Sequence, residues 1–198
     1  MADSKLIIAP TTDTDDESFF WAPLETTLPT DALDTLDVAF EGCGWMGEDG
    51  FKNNIDRATT PKRAFSGQVV KVLQDSYDET FTVTFYERKP VTLQTVFGTD
   101  NLTADYSSGH RKLTVRHDDK PLPRQSYVVR TVDGLKTLMW VIPEGQVVSV
   151  EETQIVHSEL LMYTCEIYCY KPASGTNPGN PAGVNEYTDE PDVTEPGT

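Results

Sequence analysis

The stretch that decides the fold runs from Gly42 to Glu87: G42-C-G-W-M-G-E-D-G-F51, a polar segment to Arg63, then A64-F-S-G-Q-V-V-K-V-L-Q74 and E79-T-F-T-V-T-F-Y-E87. In the last piece Phe81, Val83 and Phe85 alternate with Thr80, Thr82 and Thr84, the period-two pattern of a strand with one face in a core and the other in a wet space. Gly67 to Gln74 carries valines at adjacent positions and reads as a strand buried on both faces. Between Gly47 and Arg63 come Asp49-Gly50, Asn53-Asn54 and Thr59-Thr60-Pro61 with few apolar residues, so this part reads as a long loop. A loop of that length in a compact domain is functional or unstructured. No residue of the stretch is arranged for chemistry. It predicts a protein whose product is a shape made by strands.

Toward the C-terminus, Pro90 to Phe97 is the single plausible helix. Pro90 suits the first helical position, Leu93, Val96 and Phe97 share a face, and Gly98 follows as a natural terminator. Its threonines and valines are poor helix formers, so packing must hold it. Lys112 to His117 reads as a strand. Ser126 to Val132 and Leu135 to Ile142 form a hairpin around Asp133-Gly134. Val147 to Glu151 and Glu159 to Tyr170 complete the strands. Pro172 to Thr198 is rich in Gly, Pro, Asn and Thr with little to bury, which predicts a disordered tail.

Toward the N-terminus, Val38 to Met46 reads as a strand bent at Gly42 and Gly44. An acidic cluster, Asp13 to Glu17, precedes Phe19, Phe20 and Trp21. Three adjacent aromatics on an extended segment point to both of its sides. They either pack on their own domain or form an arm laid across a neighbouring subunit. The expected organisation is an N-terminal arm over 1–37, one β domain over 38–171 and an acidic tail over 172–198, within the length one core can serve.

The formal charge is −16, from 32 acids and 16 bases. No Lys or Arg follows Lys171, while Glu186, Asp189, Glu190, Asp192 and Glu195 do; the first 171 residues thus hold the other 27 acids and all the bases, and are acidic in their own right. Such a surface repels nucleic-acid phosphates and anionic membranes. Cys43, Cys165 and Cys169 make an odd count without C-x-x-C spacing, which fits a reducing compartment. Cys165 and Cys169 share a strand face about 13 Å apart and read as core filler. The apolar run near the N-terminus is too short for a signal peptide or membrane span, so the chain is expected to be made in the cytoplasm.

Chemistry finds no foothold in these residues. Asp and Glu are abundant, but in a chain this acidic solvated carboxylates are the default reading. His110, His117 and His157 lie in separate elements without metal-ligand spacing. Ser107-Ser108-Gly109-His110 has no nucleophile elbow around it, Gly42 and Gly44 precede a turn and not a phosphate-binding helix, and Asp13 to Glu17 lacks the spacing of a calcium loop. The expectation is a protein that is not an enzyme and uses no cofactor or metal.

An ordered set of short motifs resembles the major tail, or tail tube, proteins of long flexible-tailed bacteriophages, in particular those of actinobacterial hosts. The motifs are A-P-L-E-T-T-L-P-T-D-A (Ala22 to Ala32), G-W-M-G-E-D-G-F (Gly44 to Phe51), I-D-R-A-T-T (Ile55 to Thr60), the strand pair from Ala64 to Glu87, V-T-L-Q-T-V-F-G (Val91 to Gly98), and D-G-L-K-T-L-M-W-V-I-P-E-G-Q-V (Asp133 to Val147). The resemblance spans roughly Phe19 to Lys171. Glu25 stands where a Gly is common, and Phe65-Ser66 where Trp-Gly is usual.

The resemblance implies a mainly β fold: a sandwich or partial barrel of two antiparallel sheets with one flanking helix. It implies hexameric rings of this chain stacked into a tube, with tape-measure, terminator and distal-tail proteins as further partners. Double-stranded DNA would pass through without specific binding, in a virion tail assembled in the host cytoplasm. The long loop of that family reaches the adjacent ring, which here assigns ring contacts to Glu48, Asp49, Lys52, Asp56, Arg57, Lys62 and Arg63, and arm contacts to Phe19, Phe20 and Trp21. Candidates for the lumen are Glu79, Thr80, Thr82 and Thr84, and Glu166 on the last strand beside Met162, Thr164 and Tyr168; the alternative is that these faces meet bulk water or a neighbour. Two other readings remain: a single-ring distal-tail or terminator protein of the same fold, and a β-sandwich carbohydrate-binding adhesin displaying Trp45 or Trp140.

Overall fold

The computed structural model describes residues 7–13, 17–107, 109–172 and 183–191. Its strands are β1 (Thr11–Thr12), β2 (Phe19–Ala22), β3 (Glu41–Gly42), β4 (Met46–Asp56), β5 (Thr59–Arg63), β6 (Val69–Gln74) and β7 (Asp78–Phe85). After helix α1 (Pro90–Phe97) come β8 (Leu102–Asp105), β9 (Lys112–Val115), β10 (Gln125–Asp133), β11 (Lys136–Val150), β12 (Tyr163–Cys169) and β13 (Asn185–Asp189). The fold is mainly β and antiparallel, with this α-helix among the described residues.

Nine strands form one sheet in the order β3-β2-β10-β11-β12-β7-β4, with β1 added to β10 and β13 to β11. β11 is its spine. The first half of β11 pairs with β10 on one side and β13 on the other, and its second half pairs with β12. Between the halves lie Pro143 and Gly145, opposite a register shift in β10 at Gln125/Tyr127. A proline is tolerated inside a strand at such an irregularity. Ser126 Oγ donates to the Pro143 carbonyl at 2.8 Å, and Gly145 lets the Tyr127 ring and Ile167 come close. The two strands expected on either side of Pro143 are thus one strand.

The sheet curls over. Phe19 on β2 and Phe85 on β7 are four strands apart, about 19 Å across a flat sheet, yet their rings meet at 5.2 Å. Phe51 on β4 likewise reaches Trp140 on β11 at 5.0 Å. The two layers of the expected sandwich are halves of this one sheet. Between them lies the main core, with Phe19, Phe81, Phe85, Tyr127, Ile142 and Ile167 at 0% exposure. Helix α1 adds Val91, Leu93 and Val96 to it. Thr92 Oγ1 donates to the Cys43 carbonyl, and the N–H of Gly98, at φ 92°, returns to the Gln94 carbonyl. A second core of Ala22, Ala32, Phe40, Val128, Met139 and Val141 lies on the other face of the β2-β10-β11 half, roofed by Leu28, Leu36 and Tyr187.

Several expectations change. Met46–Asp56 and Thr59–Arg63, expected as a loop, are strands. β4 follows β7 through six Cα partners after a shift between Met46 and Phe51; its polar side chains are compatible because one of its edges and much of its surface are wet. β6, expected to be buried on both faces, is exposed at all six residues because β5 alone among the described strands pairs with it. In the segment expected as an N-terminal arm, 1–37, β2 pairs with β10 and buries Phe19 and Trp21 in the chain's own core; 1–6 and 14–16 lie outside the described residues. Of the tail expected to be disordered, 173–182 and 192–198 lie outside the described residues, whereas Asn185–Asp189 forms β13 with Tyr187 in the second core.

Candidate assembly surfaces

The first surface is the face of the sheet turned away from the main core. Register sets Thr80 beside Tyr168, Thr82 beside Glu166 and Thr84 beside Thr164. On the outer side of β7, Lys52 pairs with Thr82, Asn54 with Thr80 and Asp56 with Asp78. All of these point to one face, since paired Cα positions share a side and residues two apart repeat it. The Thr84 and Thr164 hydroxyls are 2.8 Å apart, and the Tyr168 hydroxyl donates to Asp78, which raises the Tyr168 pKa. At the β11 margin Arg124 pairs with Glu144 at 2.6 Å and lies over the Tyr170 ring at 3.7 Å. The face is hydroxyl-rich and acidic. Thr80, Thr82, Thr84 and Glu166 are therefore brought together on it.

Glu79 is not with them. It shares the side of Phe81, Val83 and Phe85, and is 6% exposed. Its carboxylate accepts hydrogen bonds from Asn53 Nδ2 at 3.0 Å and the Tyr77 hydroxyl at 2.7 Å. Burial, then the bond to Glu79, raises the Tyr77 pKa. The signal was available in the sequence: Glu79 precedes Phe81 by two, so alternation puts both on one side.

The second surface is a hairpin that leaves the body. β5 continues β4 and β6 leads into β7, so β5 and β6 form a two-stranded extension of the β4–β7 pair. Its root is tied by Arg57, which donates to Gln74 Oε1 at 3.2 Å and stands over the Tyr77 ring, and by Asp75 N–H donating to the Ala58 carbonyl. Its tip, Ala64 to Gly67, closes with the Gly67 N–H to the Ala64 carbonyl at 2.8 Å, and Gly67 takes φ 86°. Phe65 at the tip is fully exposed, and Val70 and Val72 are 65% and 55% exposed. Between residues 57 and 75 there are four bases, Arg57, Lys62, Arg63 and Lys71, and one acid, Asp75. A basic arm thus stands on an acidic body.

The seven residues expected in one ring-stacking loop divide. Arg57, Lys62 and Arg63 belong to the hairpin and its root, whereas Glu48, Asp49, Lys52 and Asp56 lie on β4, with Lys52 and Asp49 paired at 2.8 Å. Of the arm candidates, Phe19 and Trp21 face the main core and Phe20 the second core. Trp140 packs on Phe51, while Trp45 is 51% exposed. Among the described residues no group of His, Cys, Asp and Glu is placed to hold a metal ion, and no helix is long and apolar enough to cross a membrane.

The two surfaces, a polar sheet face and a basic hairpin, belong to one β body. Residues 3–174 match the phage tail tube protein family, and the chain belongs to that family; it is a structural protein of the virion tail. A search of curated protein sequences returns no match. Similar solved structures include a chain in the virion of a native gene transfer agent particle, at 7% identity and TM-score 0.42, covering 81% of this chain and 95% of that one. Another is the cap that terminates the tube of the anti-feeding prophage, at 9% identity and TM-score 0.44, covering 96% and 100%. A third is in the tail of an empty gene transfer agent particle, at 7% identity and TM-score 0.40, covering 81% and 95%.

Proposed function

We propose that copies of this chain form hexameric rings that stack into a tail tube, with the hydroxyl-rich acidic face toward a lumen through which double-stranded DNA moves. The observation that carries the reading is the β5–β6 hairpin. A two-stranded hairpin is at best marginally stable in water by itself, and this one leaves Phe65, Val70 and Val72 exposed, uncovered by any of the described residues. In a stacked tube the adjacent ring covers them.

The sheet supports lateral assembly. Its order ends at β4, an eleven-residue edge that a neighbouring subunit's strand would complete, removing an aggregation-prone edge. On the lumen side, duplex DNA carries a charge every ~1.7 Å, so a basic wall would hold it through many phosphate contacts. Thr80, Thr82, Thr84, Thr164, Asp78 and Glu166 offer phosphates repulsion and water. Tape-measure, terminator and distal-tail proteins are the proposed partners at the tube's interior and ends, and an actinobacterial host is proposed on the motifs alone.

The test is electron microscopy of the purified chain beside a variant in which residues 60–73 are replaced by Asn-Gly. Thr59 and Gln74 are cross-strand partners, so a two-residue turn closes that gap. The expected result is tubes with an axial channel from the parent chain and a folded, non-polymerising variant. Normal tubes from the shortened chain would end the proposal.

A further inference from the structure

The hairpin's chemistry specifies what should receive it. Lys62 and Lys71 are directly opposite each other across β5 and β6. Like charges in that relation destabilise a hairpin, and an anionic partner relieves them. The tip beside them is apolar. The receiving surface must therefore be an apolar depression with acids at its rim.

Such a depression lies between β2 and the 31–40 segment, a groove of about 390 Å³ whose apolar lining is Phe20, Leu33, Leu36, Val38 and Phe40. Residues 24–41 contain five acids, Glu25, Asp31, Asp34, Asp37 and Glu41, and no base. Arg130, which lines the groove, pairs with Asp13, and Glu17, also in its lining, pairs with Lys89. The rim is firm. Asp34 accepts hydrogen bonds from the Thr30 and Asp31 N–H groups at 2.7 and 3.0 Å, Asp37 accepts one from the Ala39 N–H, and the Thr30 bonds hold the Asp34 carboxyl below its usual range.

Among the described large apolar side chains, the two most exposed are Phe65 at 111% on the hairpin tip and Val38 at 96% on the groove rim. We infer that the β5–β6 hairpin of one copy seats Phe65 in the groove beside Val38 of a second copy, with Lys62, Arg63 and Lys71 facing Asp31, Asp34 and Asp37. The hairpin is made of β5, β6 and their turn, and the groove is lined by residues between Glu17 and Phe40 with Arg130, so the two share no residue. A donor and a distinct acceptor on each copy make a head-to-tail contact, which propagates rather than closing a pair. The apolar pocket lined by Ile155, Phe97 and Val115 matches less well: its one acid, Glu151, stands against Arg88, whereas the groove sets Glu17, Asp34 and Asp37 against Arg130, which Asp13 pairs.

This inference rests on the tube reading, and the experiment separates the two. Phe65→Cys with Val38→Cys, and Phe65→Cys with Trp45→Cys, are each assembled and oxidised, with the wild-type chain as the polymerisation control. The native Cys43 and Cys165 are fully buried, and the half-buried Cys169 is changed to Ser in every cysteine variant. The expected result is a ladder of disulfide-linked multimers from the Val38 pair and none from the Trp45 pair. If a double variant fails to polymerise, the two single variants are co-assembled into excess wild-type chains, and a cross-linked dimer is the readout. Wild-type tubes with cross-links at Trp45, or with none at Val38, would overturn the groove assignment and leave the tube standing. Absence of tubes from the wild-type chain would overturn both.

Discussion

Replacing Phe19 with Ala tests whether the first aromatic segment is core or arm. Phe19 is 0% exposed, and its ring meets Phe85 at 5.2 Å and Tyr127 at 5.5 Å. It ties β2 to β7 across the interior, so its neighbours cannot collapse into the space without uncurling the sheet. Truncation of a buried Phe costs about 3–5 kcal/mol, including lost edge-to-face contacts of about 0.5–1.5 kcal/mol each. Against a total stability of about 5–15 kcal/mol this is severe. Phe20, half-buried under the second core, should lose roughly 1–2 kcal/mol on truncation, and exposed Phe65 no more than about 0.5 kcal/mol. The assay is urea unfolding of dilute, unassembled protein followed by tryptophan fluorescence, with Trp21 as a buried reporter. With a slope of about 2 kcal/mol per molar, Phe19→Ala should move the midpoint down by roughly 2 M. A Phe19→Ala midpoint indistinguishable from that of Phe65→Ala would refute the placement of β2 in the core.

Two further outcomes follow from the same packing. A Cβ at Gly145 would stand 2.9 Å from both Ile167 Cγ2 and the Tyr127 ring, so Gly145→Ala should cost about 1–3 kcal/mol; thermal unfolding at or above the parent's midpoint would contradict the close approach at the bend of β11. Burial pushes the Cys43 thiol up to about 12, Cys165 and Cys169 higher, and Tyr127 well above its ordinary value. Unfolded thiols ionise near about 8.5, so above that pH the unfolded chain releases protons that the folded chain keeps, and stability falls as pH rises toward about 12. The urea midpoint should drop between pH 8 and pH 11, less steeply in Cys43→Ala; equal slopes would remove the buried thiol as a cause.

Local pattern carried the elements that hold themselves in place. The alternation of Thr80 to Phe85 determined β7 and its two faces, Pro90 and Gly98 bounded α1, and the turn after Asp133 set the β10–β11 hairpin, its loop residues being Gly134 and Leu135. The ordered motifs, through their resemblance to the tail tube proteins, pointed to a structural protein of the phage tail. The sequence also held the face of Glu79, since position parity with Phe81 is purely local.

Tertiary structure decided whatever depended on a partner far along the chain. The polar run from Met46 to Asp56 is a strand because β7 supplies its hydrogen bonds, and nothing in its own residues announces that. The valines of β6 look like a buried strand, yet they stay exposed because β5 alone among the described strands pairs with them. Phe19 and Trp21 were compatible with an arm or a core until β10 was placed beside them. The acids of 31–40 became the rim of a groove only once Phe20, Leu36 and Phe40 were assembled beneath them. Periodicity states which residues share a face; only long-range pairing decides what that face meets.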